Sequence, residues 1–175
     1  MKDRKLLNIE LGRISADEYK DLPPSGLVVV LDNIRSAHNV GSAFRTADSF
    51  GIDKVFLCGI SAVPPSAEIH KSALGAEDSV PWEHVDDTLE AVRRLRADGY
   101  TVVAVEQTVH SVKLGAFRRD PGRKYALIFC NEVSGVRQDV VDASDFSLEI
   151  PQYGTKHSLN VSVSVGVVLW EMVRR

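Results

Sequence analysis

Cysteine is scarce in this 175-residue chain: Cys58 and Cys130 are the two it has. Each sits inside an apolar run, and neither belongs to a Cys/His cluster with metal-ligand spacing, so no metal site is expected. Two reduced, buried thiols are the expected state, which suits a reducing compartment. Long hydrophobic runs are missing too. No stretch approaches the roughly 18 apolar residues of a membrane-crossing helix, and the opening MKDRKLLNIELGR lacks the apolar core of a signal peptide. A cytoplasmic protein with no membrane partner is therefore expected. A basic excess is missing as well: 21 Lys and Arg against 24 Asp and Glu leave a formal −3. A nucleic-acid partner would have to meet a local positive patch rather than a basic protein. Three signatures are also missing, namely GxGxxG after a strand, GxxxxGK[ST], and GxSxG. Dinucleotide-dependent, NTP-driven and serine-hydrolase chemistries thus have no positive support.

What is present is an ordinary globular composition, 44% hydrophobic and 26% charged, on a length that fits one domain with one well-buried core. Continuous β-branched and apolar runs at 27–31, 54–59, 101–105, 125–130 and 146–150 read as strands covered on both faces. Between them lie helical patterns at 42–50, 67–74, 86–98 and 136–143, with a polar loop at 32–41 and a basic loop or short helix at 113–124. Alternating strands and helices predict an α/β fold around a parallel sheet. Residues 1–20 read as a polar helix with a modest apolar face of Leu6, Leu7, Ile9, Leu11 and Ile14, broken at Pro23 and Pro24. The expected organisation is a helical N-terminal extension over 1–25 and a main domain over 26–175.

The stretch 149–175 is the one the rest must accommodate. Val161, Val163, Val165 and Val167 alternate with smaller residues as a strand would, but the run is too long for a strand. Leu159, Val163, Gly166/Val167 and Trp170 step by three and four, predicting a helix with that stripe as its apolar face and Ser158 as its cap. Ligands of open parallel sheets bind at the carboxyl ends of strands. There the sequence places Asn33, Arg35, His38, Asn39 and Arg45 after the first strand, and Glu106 and Gln107 after the third. Asn131, Glu132, Ser134 and Gly135 follow the fourth, and Gln152, Gly154, His157, Ser158 and Asn160 the last.

Three strings among these residues, NVGSAFR at 39–45, IFCNEVSG at 128–135 and IPQYGTKHSLNVS at 150–162, resemble the ordered motifs of the SpoU (TrmH-like) RNA ribose 2′-O-methyltransferases of the SPOUT superfamily. The resemblance runs from about residue 27 to 171. It implies an α/β/α sandwich with a parallel sheet and a C-terminal trefoil knot, a homodimer, and S-adenosyl-L-methionine as methyl donor. By the same resemblance, Glu106, Gln107, Cys130, Asn131, Gly135, Ile150 and Leu159 contact the cofactor, largely through backbone groups. Arg45 matches the arginine acting on the ribose hydroxyl, Asn39 the asparagine that positions it, and Glu132, Ser158 and Asn160 the rest of the catalytic set. Cys130 stands where many relatives carry glycine. The implied substrate is tRNA or rRNA, with tRNA slightly favoured; the alternative is a catalytically idle knotted RNA-binding or assembly factor. Arg35, Lys71, Arg93, Arg94, Arg96, Lys113, Arg118, Arg119, Arg123 and Lys124 are the cations from which a phosphate-contacting surface would be drawn.

Overall fold

A computed structural model describes residues 3–130 and 135–174. The N-terminal region is less helical than its charge pattern suggests. A short 3-10 turn, Asn8–Leu11, ends at Gly12 in the left-handed region (φ 59°), and regular helix is confined to α1, Ala16–Lys20. Ser15 and Glu18 form a reciprocal capping box there. The anticipated apolar face is not buried: Leu6, Leu7, Ile9, Leu11 and Ile14 are all exposed, Ile9 by 90%. Tyr19 anchors the region instead, buried with its hydroxyl donating to the carbonyls of Ile52 (3.0 Å) and Ala47 (3.3 Å).

The sheet has seven strands. In chain order these are β1 (Leu27–Asp32), β2 (Lys54–Cys58), β3 (Trp82–Val85), β4 (Tyr100–Val105), β5 (Val112–Lys113), β6 (Lys124–Cys130) and β7 (Phe146–Glu149). Their spatial order is β3-β2-β1-β6-β4-β7-β5, and every pairing is parallel. The sequence pattern misses β3 and β5 because both are short and lie at the sheet's edges, where a strand does not need a continuous apolar run. The interior strand β1 is buried at all six positions, in register with the central strand β6 from Leu27 opposite Tyr125 to Asp32 opposite Cys130.

Side-chain alternation along the strands divides the core in two. Leu27, Val29 and Leu31 enter one cluster, shared with Val40, Phe44 and Ala47 of α2 (Ala37–Ser49), Ile69 and Ala73 of α3 (Ala67–Ala73), and Val165, Val168, Leu169 and Met172 of α7 (Val161–Val173). Val28 and Val30 enter the other, with Ala91, Val92 and Leu95 of α5 (Thr88–Ala97) and Val140 of α6 (Gln138–Ala143). The one-turn helix α4 (Ala76–Ser79) follows α3 on the first side. The result is a three-layer α/β/α sandwich.

Two helices depart from expectation in ways that matter for the site. The polar loop after β1 is shorter than its composition suggests, because the Ser36 side chain accepts from the Asn39 N–H and starts α2 at Ala37, placing His38 and Asn39 in the first turn. At α7 the cap is Asn160, whose side chain accepts from the Ser162 N–H, and not Ser158. The buried face of α7 is also the opposite of the expected stripe, since Val163, Val167 and Trp170 are exposed by 49%, 38% and 61%. This helix is apolar almost all round, so two stripes satisfy a spacing of three and four; contact with the sheet selects one. Trp170 makes a tilted contact with Phe50, ring centroids 6.2 Å apart.

Glycine is required at one helix crossing. A Cβ on Gly41 would lie 2.1 Å from Ser72 Oγ and 2.4 Å from the Ile69 carbonyl oxygen, so α2 meets α3 backbone to backbone. Arg119, suggested above as a phosphate contact, is a half-buried staple. Its guanidinium donates to the carbonyl of Met172 near the end of α7 (3.2 Å) and to that of Ser25 just before β1.

Candidate active site

The carboxyl ends of β4, β6 and β7 converge on one cavity of about 220 Å³. Val105, Phe129, Leu148 and Val161 give it an apolar floor, continuous with the core. Of the residues the motif resemblance assigns to the cofactor, Glu106, Gln107, Cys130, Gly135, Ile150 and Leu159 all line this space. Asn131 lies outside the described residues, as does Glu132 of the catalytic set. Ser158 lines the cavity beside His157 and Gln152. Cys130 is half-buried at the end of β6, rather than buried as its apolar run suggests, whereas burial pushes the Cys58 thiol up to about 12.

Asn39 and Asn160 are 121 residues apart in sequence and meet in space, the Asn160 amide donating to Asn39 Oδ1 at 3.2 Å. The same Asn160 side chain accepts from the Ser162 N–H (3.0 Å) and hydroxyl (2.6 Å), so the cap of α7 and the link to α2 share one residue. Arg45 lies about 9 Å further along α2 from Asn39 at 1.5 Å per residue. It is exposed, and no described residue pairs with its guanidinium. It presents an uncommitted cation on the helix that Asn39 ties to the cavity mouth.

Glu149, Ser111 and Ser164 were not singled out by the sequence. Glu149, the last residue of β7, lines the cavity and accepts from Lys113 Nζ and the Ser111 hydroxyl. The Lys113 contact first, and then Ser111, holds its carboxyl below the usual carboxylate range. The strand-end rule that selected Gln152 would have selected Glu149 had it been extended one residue back into the strand. Lys113, considered above for phosphate contact, is engaged here instead.

Most of the other suggested phosphate contacts also have partners. Lys71 pairs with Glu68, Arg94 with Glu83, Arg96 with Asp145, and Arg123 with Asp120. Arg118 donates to the carbonyls of Gly115 and Phe117. Lys124 donates to the Asp98 carbonyl and sits over the Tyr100 ring. Arg35 and Arg93 are exposed, with no described partner for either guanidinium.

Residues 26–170 match the model of the SpoU rRNA Methylase family. The chain belongs to this family. Family relatives act on different RNAs by name. The chain is 35% identical over 163 residues to the 23S rRNA (guanosine-2′-O-)-methyltransferase RlmB of Nitrosomonas europaea, an alignment covering 91% of this chain and 60% of that protein. It is 32% identical over 151 residues to the tRNA (guanosine(18)-2′-O)-methyltransferase of Aquifex aeolicus, covering 85% and 69%. Among solved SpoU structures, the AdoMet-bound rRNA methyltransferase of Sinorhizobium meliloti superposes with a TM-score of 0.79 at 28% identity, covering 88% of this chain and 59% of that one. The A. aeolicus TrmH/SpoU tRNA modifying enzyme gives 0.78 at 26%, covering 90% and 80%. The chain thus spans 60% of the length of its Nitrosomonas relative.

Proposed function

We propose that this chain is an S-adenosylmethionine-dependent methyltransferase acting on a ribose 2′-hydroxyl of tRNA or rRNA. The observation that carries the proposal is the convergence of three sequence-distant strings: two line a single cavity, and the first is tied to the third by the Asn39–Asn160 hydrogen bond. The residues present fit the cofactor. Phe129, Leu148, Ile150 and Leu159 offer apolar contact for a purine, while Gln152, Ser158 and the backbone of Gly135 offer polar contacts at the rim.

When bound, S-adenosylmethionine supplies an electrophilic methyl group on a sulfonium. The protein's part is to bring one ribose oxygen in line with it, and alignment of this kind accounts for much of a bimolecular barrier. Arg45 carries a permanent cation, so its physically accessible role is to stabilise the alkoxide character developing on the 2′ oxygen. Asn39 and Asn160 set the position of α2 against the cavity mouth, and Ser158 adds a hydroxyl to the polar surface around the acceptor; Glu132 belongs to the catalytic set by the motif resemblance. Arg35, after β1 and on the same edge of the sheet, is the cation best placed to meet a phosphate.

The motif resemblance implies two further features, a trefoil knot around α7 and a homodimer. The exposed stripe Val163, Val167 and Trp170 supports the second, since a second copy would bury it. The decisive variant is Arg45→Ala. It should bind S-adenosylmethionine as the wild type does and lose methyl transfer; full activity would overturn the assignment. Mass-spectrometric mapping of ribose methylation in total RNA, from cells with and without the gene, identifies the substrate.

A further inference from the structure

We propose that Glu106 and Gln107 are positioning residues: a two-residue hub that holds separately encoded walls of the cavity in register, so that the methyl donor finds a formed site. The inference rests on the methyltransferase reading for the identity of the ligand. Glu106 follows β4, and its backbone N–H donates to the Leu148 carbonyl of β7 at 3.1 Å. Its carboxylate is turned to the protein. One oxygen accepts from the Gln107 N–H at 2.7 Å, and the other from the Val136 N–H at 2.9 Å, beyond the end of β6. Gln107 then donates its side-chain amide to the His157 carbonyl at 2.8 Å, in the loop that precedes α7. From the end of one strand, the pair reaches β7, the segment after β6 and the loop of the third string.

The chemistry calls for these residue types. A carboxylate is an acceptor at both oxygens and so can take two N–H donors, whereas an amide of the same shape can take one and would set its own N–H against the other. Glu106 also fixes its neighbour. Gly135 sits at φ +66°, and a Cβ there would lie 2.7 Å from Glu106 Oε2, so a side chain at 135 would displace the carboxylate from its present place. Gly135 and His157, at two of the places the hub reaches, both line the cavity. The bonds therefore run between walls rather than within one.

Two near-isosteric variants, Glu106→Gln and Gln107→Glu, test the hub in the full chain. Amide hydrogen exchange is followed over 135–141 and 155–160, S-adenosylmethionine affinity by calorimetry, and RNA affinity separately. Glu106→Gln should speed exchange over 135–141 and weaken donor binding about tenfold or more, the equivalent of one charge-assisted hydrogen bond, with RNA affinity unchanged. Gln107→Glu should loosen 155–160 alone, with a smaller loss of donor affinity. Unchanged exchange in Glu106→Gln overturns the hub, because any loss of affinity would then come from the carboxylate acting on the ligand directly. Faster exchange with wild-type donor affinity overturns it as well, since the walls would not need holding. A wild-type protein that fails to bind the donor overturns the methyltransferase reading instead, and exchange alone then decides whether the hub holds these segments.

Discussion

Replacing Asn160 with aspartate or with alanine should separate two roles that its side chain combines. Its oxygen caps α7 through the Ser162 N–H and hydroxyl, and its amide donates to Asn39. Asn160→Ala removes both. Loss of a cap costs about 1 kcal/mol, and loss of a hydrogen bond between side chains at the surface adds about 0.5 kcal/mol. For a chain of this size, that lowers Tm by roughly 3–6 °C. Asn160→Asp keeps the acceptor toward Ser162 and adds a negative charge at a helix N-terminus, a gain of about 0.3–1 kcal/mol. It offers Asn39 Oδ1 no proton, so the bond to α2 as it stands is lost while the helix stays capped, and Tm should remain within about 2 °C of wild type. Calorimetric unfolding at neutral pH and low salt measures the difference, which should be about 1 kcal/mol or more in favour of aspartate. Methyl transfer should fall in both variants, because both lose the contact that sets α2 against the cavity. Equal destabilisation by the two substitutions would refute the capping argument, and an alanine variant with full turnover would refute the role of the link.

Two further outcomes follow from close contacts elsewhere. Gly41→Ala forces a methyl group against the Ile69 carbonyl oxygen and Ser72 Oγ; overpacking of this kind, less the helix-propensity gain, should cost about 2 kcal/mol and lower Tm by roughly 4–8 °C. A neutral or stabilised variant would mean that α2 and α3 do not cross this closely. Glu149, held below the ordinary carboxylate range by Lys113 and Ser111, stabilises the fold above its unfolded pKa of about 4.3 and loses that contribution as pH falls through the folded value. Glu149→Gln should thus be less stable than wild type at neutral pH, and the gap should close on acidification below about pH 4; a pH-independent gap in urea titrations would contradict this.

The sequence determines the class of the fold and most of its elements, because a strand buried on both faces must be apolar throughout. The runs at β1, β2, β4, β6 and β7 could be read for that reason, and an all-parallel sheet followed from their alternation with helices. The strings at 39–45, 128–135 and 150–162 were legible as motifs, and the fold brings the second and third to one cavity and ties the first to the third. The edge strands β3 and β5 escaped, being short and half solvated, with no apolar run to announce them. Tertiary structure alone decided the rest. Valine and leucine surround α7 so nearly completely that periodicity permits either face, and the sheet chose Val161, Val165, Val168, Leu169 and Met172. Whether a polar residue is free or committed depends on what the fold brings beside it. Arg119 turned inward to two carbonyls, Lys113 was taken by Glu149, and Arg45 was left exposed without a described partner. Helix and strand are local properties of a chain, but the partners of a charge are set by contacts between residues far apart along it.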